Sequence, residues 1–249
     1  MSKTIVVIKH RYNPDPRLSA TQMAQYMNAG ADRRYLILQE AKFPRSFMFR
    51  YTDAVNPVAN YFLGKEDALE HGILKLKMKA SAEELKEFTR ETYQLCIDAI
   101  ESFRATKTNL DMGKVVFKRT DLSEMKMDIK GVELSVLPHL MTEEVKRGGK
   151  RSTGAAILSF SKSRSAPELE ATAMVIYRYL KSHPTLGALC APELCMAIDV
   201  PNATAYRAGT AQVRFWKNVE ASCSEVRRIW PTVEPPKNYN GPPIVPRAA

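Results

Sequence analysis

The residues of this chain best suited to phosphate chemistry lie in one basic stretch, residues 140–153. Four cations surround a Gly-Gly pair in this stretch: Lys146, Arg147, Lys150 and Arg151. Glycines allow backbone amides to approach a phosphate closely, and the cations neutralise its charge. The pattern predicts contact with a polyanion, although a solvated surface loop would have the same composition.

Two further polar residues follow the apolar runs on either side of this stretch. The run VELSVL precedes Pro138-His139, and the run AAILSF precedes Ser161-Lys162. A neutral imidazole can bind a metal or hydrogen-bond to the backbone, and a lysine can contact phosphate or remain in solvent. The sequence leaves these alternatives open for both residues.

The charge distribution favours an acidic partner. The 249 residues carry a net charge of +10, with 9 basic and 3 acidic residues in 1–50, and 7 and 3 in 129–165. Localised positive charge binds nucleic acid through counterion release. Besides the four cations above, the predicted nucleic-acid-binding residues are Arg33, Arg34, Lys42, Arg45, Lys162 and Arg164.

Other features limit the class of protein. The four cysteines and four histidines lack the spacing of a zinc site, so we expect no metal and no cofactor. Cysteines without such spacing are typically buried free thiols of proteins in a reducing compartment, which predicts a cytoplasmic location. No apolar run approaches the roughly 20 residues of a membrane span, and the first residues do not resemble a secretory signal.

Hydrophobic periodicity predicts helices in the first hundred residues. Ser19 and Gln22 form a capping box before a short amphipathic helix. The strongest prediction is a long helix over residues 81–103, which a second capping box at Ser81 would begin. Its apolar stripe, which includes Phe88 and Leu95, should be buried against a sheet.

The pattern then changes to short strands, predicted at residues 114–118, 132–137, 155–160 and 194–200, with helices at 167–182 and 210–229. The predicted fold class is therefore α/β (α+β). We expect a basic helical region over residues 1–80, an α/β domain over 81–230, and a tail over 231–249. Six prolines in that tail predict an extended segment, either free or laid along a partner.

The predicted order α-β-β-β-α-β, with Pro138-His139 after the second strand and Lys162 after the third, resembles the PD-(D/E)XK nuclease-like fold, also called restriction-endonuclease-like. The resemblance covers residues 81–230 and rests on element order more than on motif. The chain is also similar to uncharacterised bacterial proteins with segments like RRYLILQEAKFP and GVELSVLPHL.

The resemblance implies an acidic motif that this chain lacks. An active member needs one carboxylate from each of two strands to hold a divalent cation, and the lysine assists the attack on phosphate. His139 occupies the position of the first carboxylate and Phe160 that of the second, so Lys162 is the one residue that matches the motif. If the chain is active, the candidates are Glu91, Glu133, His139, Lys162 and Asp199, with Mg²⁺ as cofactor. Asp199 would equally suit a turn.

These observations favour a non-catalytic nucleic-acid-binding protein, bacterial or from a mobile element, built on a degenerate nuclease-like domain within a larger assembly. One alternative is an active metal-dependent nuclease with migrated carboxylates. Another is a structural protein of viral or phage capsid type, in which terminal arms clasp neighbours and the C-terminal tail mediates self-assembly.

Overall fold

The computed structural model describes residues 9–45, 51–83, 85–120, 125–146, 148–161 and 164–244. The chain is a mixed α/β protein, which confirms the predicted class. It divides into two compact units. The first unit combines residues 1–48, 126–135 and 216–249, and the second combines residues 49–125 and 136–215. The expected boundary near residue 80 differs from this division, because residues 51–80 belong to the second unit.

A five-stranded mixed sheet forms the centre of the second unit. Its strands are β2 (Val116–Arg119), β5 (Leu140–Val145), β6 (Arg151–Ser159), β7 (Met196–Asp199) and β8 (Thr204–Arg207), and they lie side by side in that order. β6 is antiparallel to β5, with Leu140 opposite Ala156, and parallel to β7, with Ala156 opposite Met196. β2 and β8 are antiparallel edge strands.

Helices cover this sheet. α3 (Thr52–Phe62), α4 (Ala68–Ala80) and α5 (Glu87–Thr106) share one core with the side chains of Leu140, Leu158 and Ile198. α6 (Ala166–Ser182) packs on β6, β7 and β8. Since side chains alternate along a strand, α6 contacts the face opposite that core.

The long helix α5 is shorter at its start than the sequence predicts, and its first half is not buried. Ser81 donates its hydroxyl to Met78 O instead of capping a helix, and α5 begins only at Glu87. Phe88 is 45% exposed and Leu95 is half-buried, so the expectation that both lie against the sheet is wrong for Phe88. The buried residues of α5 all lie from its tenth residue onward: Cys96, Ile97, Ala99, Ile100 and Phe103.

The burial pattern of α5 predicts which of its substitutions should lower the stability of the protein. Ile100 has no exposed surface, so Ile100→Ala should lower the free energy of unfolding by about 2–5 kcal/mol through lost burial and a residual cavity. Leu95→Ala, the control, should cost about 1 kcal/mol or less because its side chain is only half-buried. Urea denaturation measures both. Equal losses would contradict the orientation of α5.

The first unit is built from three separate parts of the sequence. β1 (Arg17–Ser19) lies parallel to β4 (Val132–Val136), and β3 (Met125–Ile129) lies on the other side of β4. α1 (Ala20–Asn28) starts with the predicted capping box, since Gln22 N donates to Ser19 Oγ and Ser19 N donates to Gln22 Oε1. α2 (Ala31–Lys42) and most of α7 (Gln212–Ile229) complete this unit.

The proline-rich tail packs on the unit that contains it. Trp230 is 2% exposed and donates its Nε1–H to Pro14 O at 3.2 Å. Tyr239 lies edge-on to the ring of Phe43, with the centroids 5.2 Å apart. Asn240 Oδ1 lies 2.8 Å from His10 Nδ1. The tail is therefore laid along its own unit as far as Asn240.

Three strands among the described residues escaped prediction: β1, β3 and β5. β3 follows β2 in the sequence, and β5 lies in the stretch that the sequence analysis treated as a basic loop. The runs 132–137 and 155–160 were predicted as successive strands, but β4 belongs to the sheet of the first unit, and β5 is the strand that pairs with β6. In the part of the chain that the structure describes, no helix is long and apolar enough to cross a membrane.

Candidate nucleic-acid interface

His139 is held at the start of β5, where its ring extends the hydrogen-bond ladder of the sheet. Its amide donates to Ala156 O at 2.9 Å, and its Nδ1 accepts the amide of Leu158 at 2.8 Å. Burial lowers the pKa of His139 to about 4, so the ring is uncharged at neutral pH. Because Nδ1 is an acceptor, the proton sits on Nε2.

Phe160 occupies the position where the nuclease pattern requires a second carboxylate, and it belongs to the core. It is 6% exposed, and its ring stacks on Tyr51 with the centroids 5.7 Å apart. An aromatic side chain offers no ligand to a hard cation. Lys162, the one residue that matches the pattern, lies outside the described residues.

The other candidate carboxylates do not converge. Glu133 belongs to the first unit, 3.5 Å from an Arg17 nitrogen and 3.6 Å from Lys126 Nζ. Glu91 is exposed on the first half of α5. Asp199 is 5% exposed and accepts from Asn202 Nδ2 at 2.8 Å and from its amide at 3.4 Å, which is the turn role the sequence allowed.

These donors do not fit Mg²⁺. The ion prefers several carboxylate or water oxygens in octahedral geometry, whereas positions 139 and 160 supply an uncharged imidazole and a phenyl ring. Among the described residues, no three His, Cys, Asp or Glu side chains are grouped as a metal site requires. We therefore derive no metal-dependent step.

A small cleft of about 180 Å³ opens beside His139. Arg119 lies at the end of edge strand β2 and donates to Asn60 Oδ1 on α3 at 3.1 Å. The described residues that line the cleft combine hydrogen-bonding groups with an apolar wall and include no carboxylate: Val55, Asn56, Ala59, Asn60, Leu63, Arg119, Thr120, His139 and Leu140. Since Nδ1 is bonded to the backbone, Nε2–H is the donor that the His139 ring can offer to a ligand.

A second cleft, of about 350 Å³, lies between α3 and α4 and shares Asn56 and Asn60 with the first. Two of its basic side chains have acidic neighbours, since Lys79 lies 2.9 Å from Asp53 and His71 lies 3.4 Å from Asp67. Lys65 and Lys75 also line it and are exposed.

The basic stretch is not one long loop. Its ends belong to β5 and β6, and a tight turn joins the two strands. Lys146 N donates to Lys150 O, and Gly148 and Gly149 have φ of 88° and 77°. Lys146 Nζ lies 2.9 Å from Glu193, and the carboxylate hydrogen bond raises the pKa of that lysine. Arg151 lies 3.6 Å from Glu143, so acidic neighbours already engage two of the four cations. Lys150 is exposed, and Arg147 lies outside the described residues.

Three of the cations predicted in the N-terminal region have hydrogen-bond or ion-pair partners within the chain. Lys42 is 5% exposed, and its ammonium donates to Trp230 O at 2.7 Å and Val233 O at 2.9 Å. It therefore anchors the tail and cannot reach a phosphate. Arg34 lies 3.3 Å from Glu225, and Arg33 lies 3.4 Å from Glu40.

The last two predicted cations, Arg45 and Arg164, belong to different units. Arg45 is exposed just after α2, in the first unit. Arg164 is half-buried just before α6, in the second unit.

The residues that sequence analysis missed are Asn56, Asn60 and Arg119. They come from α3 and from the end of β2, about 60 residues apart, and no local pattern relates them. No model of a protein family and no curated protein matches this sequence.

Proposed function

We propose that this chain is a non-catalytic nucleic-acid-binding protein built on a degenerate PD-(D/E)XK-like domain. The order α5-β2-β5-β6-α6-β7 in the second unit supports the resemblance. The antiparallel register of β5 and β6 also supports it. Leu140 lies opposite Ala156, so His139 and Phe160 flank the same end of the strand pair. We further propose a cytoplasmic location and a role within a larger assembly.

The observation that carries the proposal is the chemistry of the cleft beside His139. Its polar groups include a guanidinium, two amides and an imidazole N–H, and its described lining contains no carboxylate. Such a donor-rich site favours an anionic group over a cation. The phosphodiester backbone of nucleic acid is the anion that the net charge of +10 also favours.

Arg119→Ala should weaken binding to duplex DNA or RNA about tenfold, because it removes one charge-assisted contact to phosphate. The slope of log K against log salt should fall by about 0.9, since one phosphate contact fewer releases fewer counterions. Fluorescence anisotropy with labelled single- and double-stranded DNA and RNA, at two salt concentrations, measures both quantities.

Lys86→Ala is the matched control, because Lys86 is an exposed cation that lines neither cleft. It should leave the slope unchanged. Lys150→Ala tests the turn separately, and a fall of about 0.9 in slope would include the turn in the interface. An unchanged slope for Arg119→Ala would exclude the cleft. Cleavage of plasmid by the wild type in Mg²⁺ or Mn²⁺ would contradict the non-catalytic part of the proposal.

A further inference from the structure

Two of the four cysteines are in direct contact. Cys190 and Cys195 flank a short turn, Pro192–Leu194, in the second unit, and their Sγ atoms are 3.8 Å apart. Cys195 is fully buried and Cys190 is 9% exposed, so Cys190 is the one nearer to solvent. Sequence spacing gives no sign of this contact, since C-x₄-C is not a familiar redox or zinc pattern.

The sheet fixes the backbone around both cysteines. Thr153 N donates to Leu189 O at 2.8 Å, and Ala191 N donates to Thr153 O at 2.9 Å, which attaches the Cys190 side to β6. Ala208 N donates to Cys195 O at 2.9 Å and attaches the other side. The sulfur contact is therefore held by the fold and does not depend on a loose loop.

The segment between the cysteines is also tightly packed. Thr142 Oγ1 donates to Leu194 O at 2.6 Å. A Cβ added at Gly154 would lie 2.2 Å from the same carbonyl oxygen, so only glycine leaves room for this approach. Both contacts hold Leu194, and with it the adjacent Cys195, against β5 and β6.

The two thiols differ in acidity. The hydrogen bond from Cys195 lowers the pKa of Cys190, and Lys181 contributes in the same direction. Burial raises the pKa of Cys195 well above its ordinary value. Thiolate is the nucleophilic form of cysteine, so Cys190 is the first to react and Cys195 resolves.

We infer that Cys190 and Cys195 form a dithiol that hydrogen peroxide oxidises to an intramolecular disulfide. The Cys190 thiolate attacks one peroxide oxygen, the O–O bond breaks, and hydroxide leaves, which gives a sulfenic acid on Cys190. Cys195 sulfur then attacks the Cys190 sulfur, the S–O bond breaks, and water forms with the Cys195 proton. Overall, two thiols and one peroxide give one disulfide and two waters.

Closing this bond requires the sulfur atoms to approach from 3.8 Å to about 2 Å. A small thiol reductant reverses the step through thiol–disulfide exchange. A disulfide of this kind would be transient in a reducing compartment. The inference does not depend on nucleic-acid binding.

Peptide mass spectrometry tests it directly, because residues 182–207 contain both cysteines and no lysine or arginine before Arg207. The folded protein is treated with peroxide, denatured without reductant, alkylated with iodoacetamide and digested with trypsin. We expect the peptide without alkylation and lighter by about 2 Da than its dithiol form, because two hydrogens are lost. Dithiothreitol before alkylation should restore the doubly alkylated peptide.

Variants test the order of the two steps. In Cys195→Ser, peroxide should leave a sulfenic acid on Cys190 that dimedone captures, while in Cys190→Ser the Cys195 thiol should remain alkylatable. Cys223→Ser is the control, since Cys223 is buried in the other unit, and it should still form the disulfide. A doubly alkylated wild-type peptide after peroxide would overturn the inference, and this readout does not require the variants to fold.

Discussion

Between pH 6.5 and pH 4 the protein should lose about 3 kcal/mol more stability than a His139→Asn variant. The folded state keeps the imidazole uncharged, because burial lowers the pKa of His139 to about 4 from 6.5. The unfolded chain therefore binds more protons in this interval, and each fall in pH favours unfolding. Above pH 6.5 the contribution is constant.

The asparagine variant isolates this effect. Its Oδ1 can accept the Leu158 amide in place of Nδ1, and the amide does not titrate. Urea denaturation at pH steps from 7 to 4 gives the free energy of unfolding for both proteins. His71→Asn is the control, because that side chain is 73% exposed and its replacement should leave the wild-type pH dependence intact. Parallel curves for wild type and His139→Asn would mean that the ring binds a proton as readily in the folded state as in the unfolded chain.

Trp230→Ala should lower the free energy of unfolding of the first unit by about 3–5 kcal/mol. Trp230 is among the largest fully buried side chains, and its removal leaves a cavity beneath the tail. The variant also leaves Pro14 O without its indole donor. Trp216, in the same unit, is the remaining tryptophan and provides the fluorescence signal for urea denaturation.

Trp230→Phe separates packing from the hydrogen bond. It keeps most of the apolar volume and loses only the donor to Pro14 O, so the loss should be about 1–2 kcal/mol. Leu36→Ala, at an exposed position of the same unit, should change stability by about 0.5 kcal/mol or less. If Trp230→Ala were as mild as Leu36→Ala, the tail would not be packed on its unit in solution.

The helices were readable from the sequence because their signals are local. The capping box at Ser19 and the apolar periodicity of residues 166–182 lie within one or two helical turns of the residues they organise. The predicted start of α5 was wrong because it, too, rested on local signals. Ser81 and the apolar Phe88 satisfy the local pattern, but among the described residues no element buries Phe88, which is 45% exposed.

The strands and the candidate site depend on long-range pairing, which local pattern does not encode. The β5 segment LMTEEV carries two glutamates and is followed by Lys146, so its sequence resembles a loop. It forms a strand because β2 and β6 pair with it on both sides. Likewise, Arg119 meets Asn60 only because β2 ends beside α3. The roles of Lys42 and Trp230 depend on partners nearly 190 and more than 200 residues away, respectively.

The assembly of the first unit from three parts of the sequence has a consequence for synthesis on the ribosome. Residues 9–45 are made before the third part of the unit, which begins at residue 216 and contains most of α7, Trp230 and the tail. At a translation rate of about 5–20 residues per second, the delay is roughly 10–30 s. The second unit is itself complete only when residue 215 has been made. The apolar side chains of residues 9–45 thus wait for a partner segment made much later, and during that delay they are exposed to chaperones.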